Sequence, residues 1–190
     1  QYSNGEIDET VLKDYENNAC PTCGSCSGMY TANSMNCLTE AIGLALPFNG
    51  TEPAVNSARR RIAKEAGERI VELYKQDIKA KDILTKDNMI NALATDMAIG
   101  ASSNTVLHLL AIAHEAGIDI TLSDIDSVSR RVPQLAKLNP ASDIFIEDLN
   151  AVGGIQTVLK ELDKVGAINT DVLTVTGTQW EIIPGTMTGK

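Results

Sequence analysis

The stretch ACPTCGSCSGMYTANSMNC, residues 19–37, holds all four cysteines of the chain, three of them at C-x2-C-x2-C spacing. Thiolates are soft ligands suited to zinc, copper(I) and iron–sulfur clusters. The spacing of Cys20, Cys23 and Cys26 matches the opening of the bacterial ferredoxin run, but there the fourth cysteine follows after three residues and precedes a proline. Cys37 comes much later, with Leu38 after it, so the full ferredoxin pattern fails. A closed zinc site wants four ligands, usually as two separated pairs. No second Cys or His pair follows at a suitable distance, and that template weakens too. A redox dithiol of Cys20 and Cys23 is the third chemistry open to the loop. Cys37, within a helical pattern, reads as a small buried hydrophobe.

The elements around the loop decide what its thiols can do. From about residue 28 to 46, Met35, Leu38, Ile42 and Leu46 recur at helical spacing, so Cys20, Cys23 and Cys26 lie just ahead of a helix N-terminus. Such a position stabilises a thiolate, which serves metal ligation and thiol exchange alike. Pro47 and Asn49-Gly50 break that helix. Thr51 and Pro53 then resemble the cap and first turn of a long helix whose buried stripe is Val55, Ala58, Ile62, Ala66, Ile70 and Leu73. A third helix is expected over about 87–99.

GASSNTVLHLLAIAHEAG, beginning at Gly100, is nearly apolar all round, capped by Ser102 or Ser103 and stopped by Gly117. A helix of that kind belongs in the middle of a larger body. Ser123 opens a short helix to about Arg131. DIFIED (143–148) reads as a brief extended piece, and a helix over 155–165 ends at Gly166. DVLTVTG (171–177) alternates like a strand. The class expected is therefore α/β, predominantly helical, with one or two strands near the C-terminal end whose partners lie elsewhere.

Composition narrows the function classes. Sixteen basic residues stand against 25 acidic ones, a net charge of −9, which argues against a nucleic-acid partner. The locally basic RRRIAK (59–64) is followed by Glu65 and Glu68 and reads as a solvated helix face. No apolar run approaches the roughly 20 residues that span a bilayer, so no membrane partner is expected. No signal-peptide pattern is visible, and the cytoplasm is the expected compartment. Gln1 in place of an initiator Met suggests a piece of something longer.

Other residues with chemical potential read more simply. His108 and His114 are separated by about 240° around a helix and cannot share a metal from one face. Glu147 and Asp148 diverge at a helix start and suit a solvated first turn. The helix start near Ser103 could hold an anionic group, although ordinary capping explains the same residues.

Four segments carry a family resemblance. ACPTCGSCSGMYTANSMNCLTEAIGLALPFNGT, GASSNTVLHLLAIAHEAGIDI, FIEDLNAVGGIQTVLKEL and DVLTVTG, in that order, resemble the dihydroxy-acid dehydratases over nearly all of residues 5–178. The family includes phosphogluconate and sugar-acid dehydratases and converts 2,3-dihydroxy acids to 2-oxo acids. Dihydroxy-acid dehydratase itself serves branched-chain amino-acid synthesis. The resemblance implies an iron–sulfur cluster, [2Fe–2S] or [4Fe–4S], acting as a Lewis acid and held by three cysteines from separated sites, of which this chain supplies Cys20. Cys23 and Cys26 would lie near the cluster without bonding it.

The family's Cys-Asp-Lys triplet, which brings another cluster ligand and the Mg2+-binding modified lysine, is not in this sequence. Nor are the remaining cluster cysteine and the C-terminal domain with its serine base. Mg2+ would therefore be held outside this chain. Residues 1–178 would form the helical second half of a larger N-terminal α/β domain, followed by a tail (179–190) of undetermined structure. A homodimer of the full-length enzyme and a small dihydroxy-acid substrate are implied as well. GASSN stands where many members have Gly-Gly-Ser-Thr-Asn: Ser103 for Thr keeps a capping hydroxyl, while Ala101 removes a glycine's freedom at positive φ.

Overall fold

The computed structural model describes residues 1–19, 23–24 and 26–177. Among them a short 3-10 turn (Tyr2–Asn4) precedes nine helices. These are α1 (Glu9–Asn18), α2 (Thr31–Ile42), α3 (Ser57–Lys75), α4 (Ala80–Ile83), α5 (Lys86–Ile99), α6 (Asn104–Ala116), α7 (Leu122–Arg131), α8 (Ile146–Ala151) and α9 (Gly154–Lys164). Local chemistry accounts for their ends. Asp8, Thr85 and Thr121 cap α1, α5 and α7 with side-chain oxygens, while Gly43, Gly100 and Gly117 close α2, α5 and α6 in the left-handed region. Thr121, not Ser123, is the cap of α7, and Asp124 returns a bond to the Thr121 N–H at 2.8 Å.

The most enclosed helix is α5, which packs against α2, α6, α7 and α9. Its Met89, Ala92, Leu93, Ala98 and Ile99 are fully inaccessible. Two of its buried polar residues, Asn88 and Asn91, are satisfied by backbone at the ends of neighbouring segments. Asn88 donates to the carbonyls of Ile42 (2.8 Å) and Leu173 (3.1 Å), and Asn91 exchanges two bonds with the backbone of Asn169. The nearly apolar α6 buries only Thr105, Leu109 and Ala113, and Leu107 stays 67% exposed. Among the described residues it is the more polar α5 that occupies the middle, with Asn88 and Asn91 hydrogen-bonded internally, while α6 lies at the edge with an apolar face uncovered.

A second correction concerns α3. It begins at Ser57, later than Thr51-x-Pro53 suggests, and of its expected buried stripe only Leu73 is enclosed. Ile62, Ala66 and Ile70 face Leu44, Leu46 and Val175 across an open apolar cleft of about 290 Å3. Thr51 is instead buried, donating to Asn150 Oδ1 at 2.7 Å.

The third correction is the strand. Among the described residues there is no sheet; residues 174–177 form a tight reversal closed by one isolated antiparallel bridge, Thr174 to Gly177. Thr174 N donates to Gly177 O (2.9 Å) and Gly177 N to Thr174 O (3.2 Å), while Val175 N reaches the Gly43 carbonyl (2.8 Å). With no neighbouring strand to complete a ladder, the segment satisfies its backbone on itself and on the C-terminal end of α2. DIFIED likewise turns helical from Ile146, because Asp148 accepts the Phe145 N–H at 2.8 Å and fixes the first turn of α8. The tail expected at 179–190 lies outside the described residues.

Candidate functional site

The residues that could do chemistry gather where α2 and α6 begin. Asn33 of α2 folds back to donate to the carbonyls of Cys26 (3.0 Å) and Gly28 (3.1 Å), and the Cys26 thiol leans on the Gly28 carbonyl (3.5 Å). Met29 N donates to Asn139 O and Ile146 N to Ser27 O, so the segment after the cysteines is pinned from two further directions. Gly28 must be small: a Cβ there would sit 2.7 Å from Asn139 Oδ1. Thr31 and Ser34 at the start of α2 meet the turn before α6. Asn104 donates to Thr31 Oγ1 at 2.7 Å, Thr31 and Ser102 hydroxyls lie 3.4 Å apart, and Ser102 N donates to Ser34 Oγ at 3.0 Å.

Within that turn, Ser103 occupies the cap position without a side-chain bond, and Ser102 Oγ takes the Asn104 N–H instead (3.3 Å). The conformational freedom that Ala101 gives up is not needed there, since the positive φ falls at Gly100 (+60°). The two helix starts are thus locked together beside the cysteine loop.

Cys20 lies outside the described residues. Cys23 and Cys26 are exposed free thiols and Cys37 is fully buried. Burial pushes the Cys37 thiol far above the ordinary thiol range, with the nearby Glu40 charge adding to the effect. Its Sγ points at the Gly50 carbonyl at 3.5 Å. Its role as a packed hydrophobe predicts a labelling pattern: a maleimide added to the native chain modifies Cys23 and Cys26 rapidly and Cys37 only after denaturation. Peptide mapping that finds Cys37 modified in native protein at the rate of Cys23 would contradict it.

Among the described residues no three His, Cys, Asp or Glu side chains converge as a metal site. His108 and His114 are both exposed. The donor set of the loop is thiol only, a chemistry that suits iron–sulfur ligation. Glu147 is exposed on the first turn of α8, and Asp148 serves that helix as described above.

Two buried carboxyls escape a reading by motif. Glu40 lies on the inner face of α2 among Cys37, Leu38, Ala41 and Ile42, and burial raises its pKa to about 7. Asp96 of α5 is raised to about 6 by burial, opposed by the Thr105 side chain, and its Oδ1 has no hydrogen-bond partner. The only hint in the sequence is a charge interrupting an apolar helical face.

Among the described residues, Cys26 to Met29 are pinned beside paired helix starts on a helical body. Comparison with known proteins gives the family. The chain belongs to the dihydroxy-acid/6-phosphogluconate dehydratase family, whose N-terminal profile matches residues 1–182. It is 61% identical over 173 residues to a dihydroxy-acid dehydratase of Caldanaerobacter subterraneus subsp. tengcongensis, covering 91% of this chain and 31% of that protein. It is 55% identical over 176 residues to one from Agathobacter rectalis (93% and 32%) and 57% identical over 173 residues to one from Oleidesulfovibrio alaskensis (91% and 31%). The chain thus spans about a third of the length of these curated relatives. No helix among the described residues is long and apolar enough to cross a membrane.

Proposed function

We propose that this chain is the helical part of the N-terminal domain of a hydro-lyase that converts 2,3-dihydroxy-3-methyl carboxylic acids to 2-oxo acids in valine and isoleucine synthesis. The observation that carries the reading is the 61% identity to a protein named dihydroxy-acid dehydratase along nearly the whole chain. In the reaction the C2 proton and the C3 hydroxyl leave as water, and the resulting enol tautomerises to the 2-oxo acid. Cys20 would supply one thiolate to an iron–sulfur cluster, which when bound provides Lewis-acid stabilisation of the departing oxygen. Mg2+, the other cluster ligands and the base belong to the two-thirds of the full-length protein outside this chain. A cytoplasmic homodimer belongs to the same proposal and rests on the family resemblance alone.

The described residues support this role by what they hold still. Asn33, Ser34, Thr31, Ser102 and Asn104 tie the loop after Cys26 to two helix starts, so the loop's position is set by the helical body. Positioning within about 1 Å matters to catalysis, and rigid elements supply it.

The full-length parent enzyme, prepared anaerobically, provides the test. Formation of a 2-oxo acid from 2,3-dihydroxy-3-methylbutanoate, with at most weak turnover of 6-phosphogluconate or sugar acids, is the expected result. Turnover of 6-phosphogluconate alone would move the substrate to the other branch of the family. Absence of turnover on all three by an iron-loaded enzyme would overturn the reading.

A further inference from the structure

Glu40 is enclosed to 2% exposure, yet among the described residues it forms no ion pair with a cation. Its Oε2 accepts the Gly50 N–H at 3.1 Å and its Oε1 accepts Gln156 Nε2–H at 2.9 Å, while the Phe48 N–H also points at the carboxylate. Arg59 of α3 is the nearest charge to act on it, but the guanidinium is spent elsewhere: on Asn49 Oδ1 (3.2 Å), Asn49 O (2.9 Å) and Glu52 O. From its own helix Glu40 meets the neutral Cys37 thiol, and from α9 the neutral Gln156 amide. A carboxylate buried without a paired cation carries a desolvation cost that protonation removes.

Counting hydrogens shows where such a proton can go. Both carboxylate oxygens face N–H donors, so an added O–H needs an acceptor. Gly50 N and Phe48 N have no lone pair to offer. Gln156 does: turning its amide over presents the side-chain oxygen in place of the NH2 group. The proton then sits on Oε1 and donates to Gln156, while Oε2 keeps the Gly50 bond.

We propose that Glu40 and Gln156 form a proton-operated latch between α2 and α9, in which protonated Glu40 donates to a turned-over Gln156 amide and ionised Glu40 accepts from it. The latch fastens a strained and crowded turn. Phe48 adopts φ +68°, Gly50 lies against the α2 backbone, and Gly154, at the start of α9, lies against Thr51 and Phe48. Burial raises Glu40 from 4.5 to about 7, with the hydrogen bonds and Arg59 acting the other way. Between those values the native chain holds a proton that the unfolded chain has released. The stabilisation from the protonated group is therefore fully present below about pH 4.5 and is lost as pH rises through about 7.

Carbon-13 and nitrogen-15 NMR of the full chain tests this directly. The Glu40 carboxyl carbon and the Gln156 side-chain amide signals are expected to titrate together with a midpoint near pH 7. Urea unfolding at pH 5.5 and 8.5 adds a second readout. Over that interval wild type should lose about 30-fold in its folded-to-unfolded ratio relative to Glu40→Gln, which mimics the protonated state. Taking the difference cancels other buried acids such as Asp96. A Glu40 carboxyl that titrates between pH 4 and 5, or Gln156 signals that ignore its titration, would overturn the latch. The wild-type spectra decide even if the variant fails to fold.

Discussion

In the full-length parent enzyme, Cys20→Ala is expected to cut the dehydration rate by on the order of 10^3-fold or more. The size follows from what a thiolate ligand secures. Lewis-acid stabilisation of a departing oxygen is worth several kcal/mol, and each 1.36 kcal/mol is a factor of ten in rate. The exposed thiols give the contrast. Cys23→Ser and Cys26→Ser are expected to lose no more than about 10–100-fold, the range for groups that surround metal ligands without binding the metal. Cys37→Ala acts through packing instead, because its thiol is enclosed between α2 and the Gly50 turn. Iron content and turnover measured on the same anaerobic preparations separate these cases. A Cys20→Ala enzyme that keeps both its iron and its rate would remove this residue from the site, whereas loss of iron on Cys23→Ser would restore the three-cysteine alternative.

Gly50→Ala carries the largest expected effect on folding. A Cβ at residue 50 would lie 2.6 Å from the Cys37 Cα, 2.9 Å from the Cys37 N and 3.0 Å from the Asn36 carbonyl oxygen. These are backbone atoms of α2, so no rotamer change relieves the overlap. Either the turn must withdraw, which breaks the Glu40 and Cys37 bonds to Gly50, or α2 must move. We expect a loss of about 3 kcal/mol or more, a large share of the roughly 5–15 kcal/mol that keeps a domain folded. Gly67 makes the opposite prediction. It sits in the middle of the exposed α3 with nothing within 4 Å of its missing Cβ, so Gly67→Ala should stabilise by about 1 kcal/mol. Urea midpoints of the two variants at one pH provide the check. Equal midpoints would mean that the close approach at Gly50 is not part of the folded protein.

The latch and the Gly50 contact concern one piece of chain, the turn PFNGT at 47–51, which the sequence marks as a helix breaker followed by a candidate cap at Thr51. Its importance is tertiary. Cys37 and Glu40 reach it from α2, Arg59 from α3, Asn150 from α8 and Gly154 from α9. None of these partners is adjacent in sequence, and no spacing rule connects them.

The sequence by itself determined the local features and the kinship. Gly117 stops its helix where expected and Gly100 follows a helix expected to end at about 99, since a residue without Cβ takes the left-handed conformation at no steric cost. By contrast, α2 ends at Gly43, ahead of the Pro47 break that the sequence suggests. The cysteine spacing failed the full ferredoxin template and weakened the closed zinc one, and the four family-like segments pointed to a divided site. The tertiary structure alone decided which surfaces are enclosed. It placed α5 in the middle although α6 is the more apolar, left most of α3 open, and turned DVLTVTG into a reversal. The physical reason is common to all three. Helix stops are settled by one residue's backbone, whereas burial and strand pairing depend on what distant segments bring to the same place. Glu40 shows the difference within a single side chain: its helical position is legible in sequence, but only Gly50 and Gln156 arriving from elsewhere make it a buried acid.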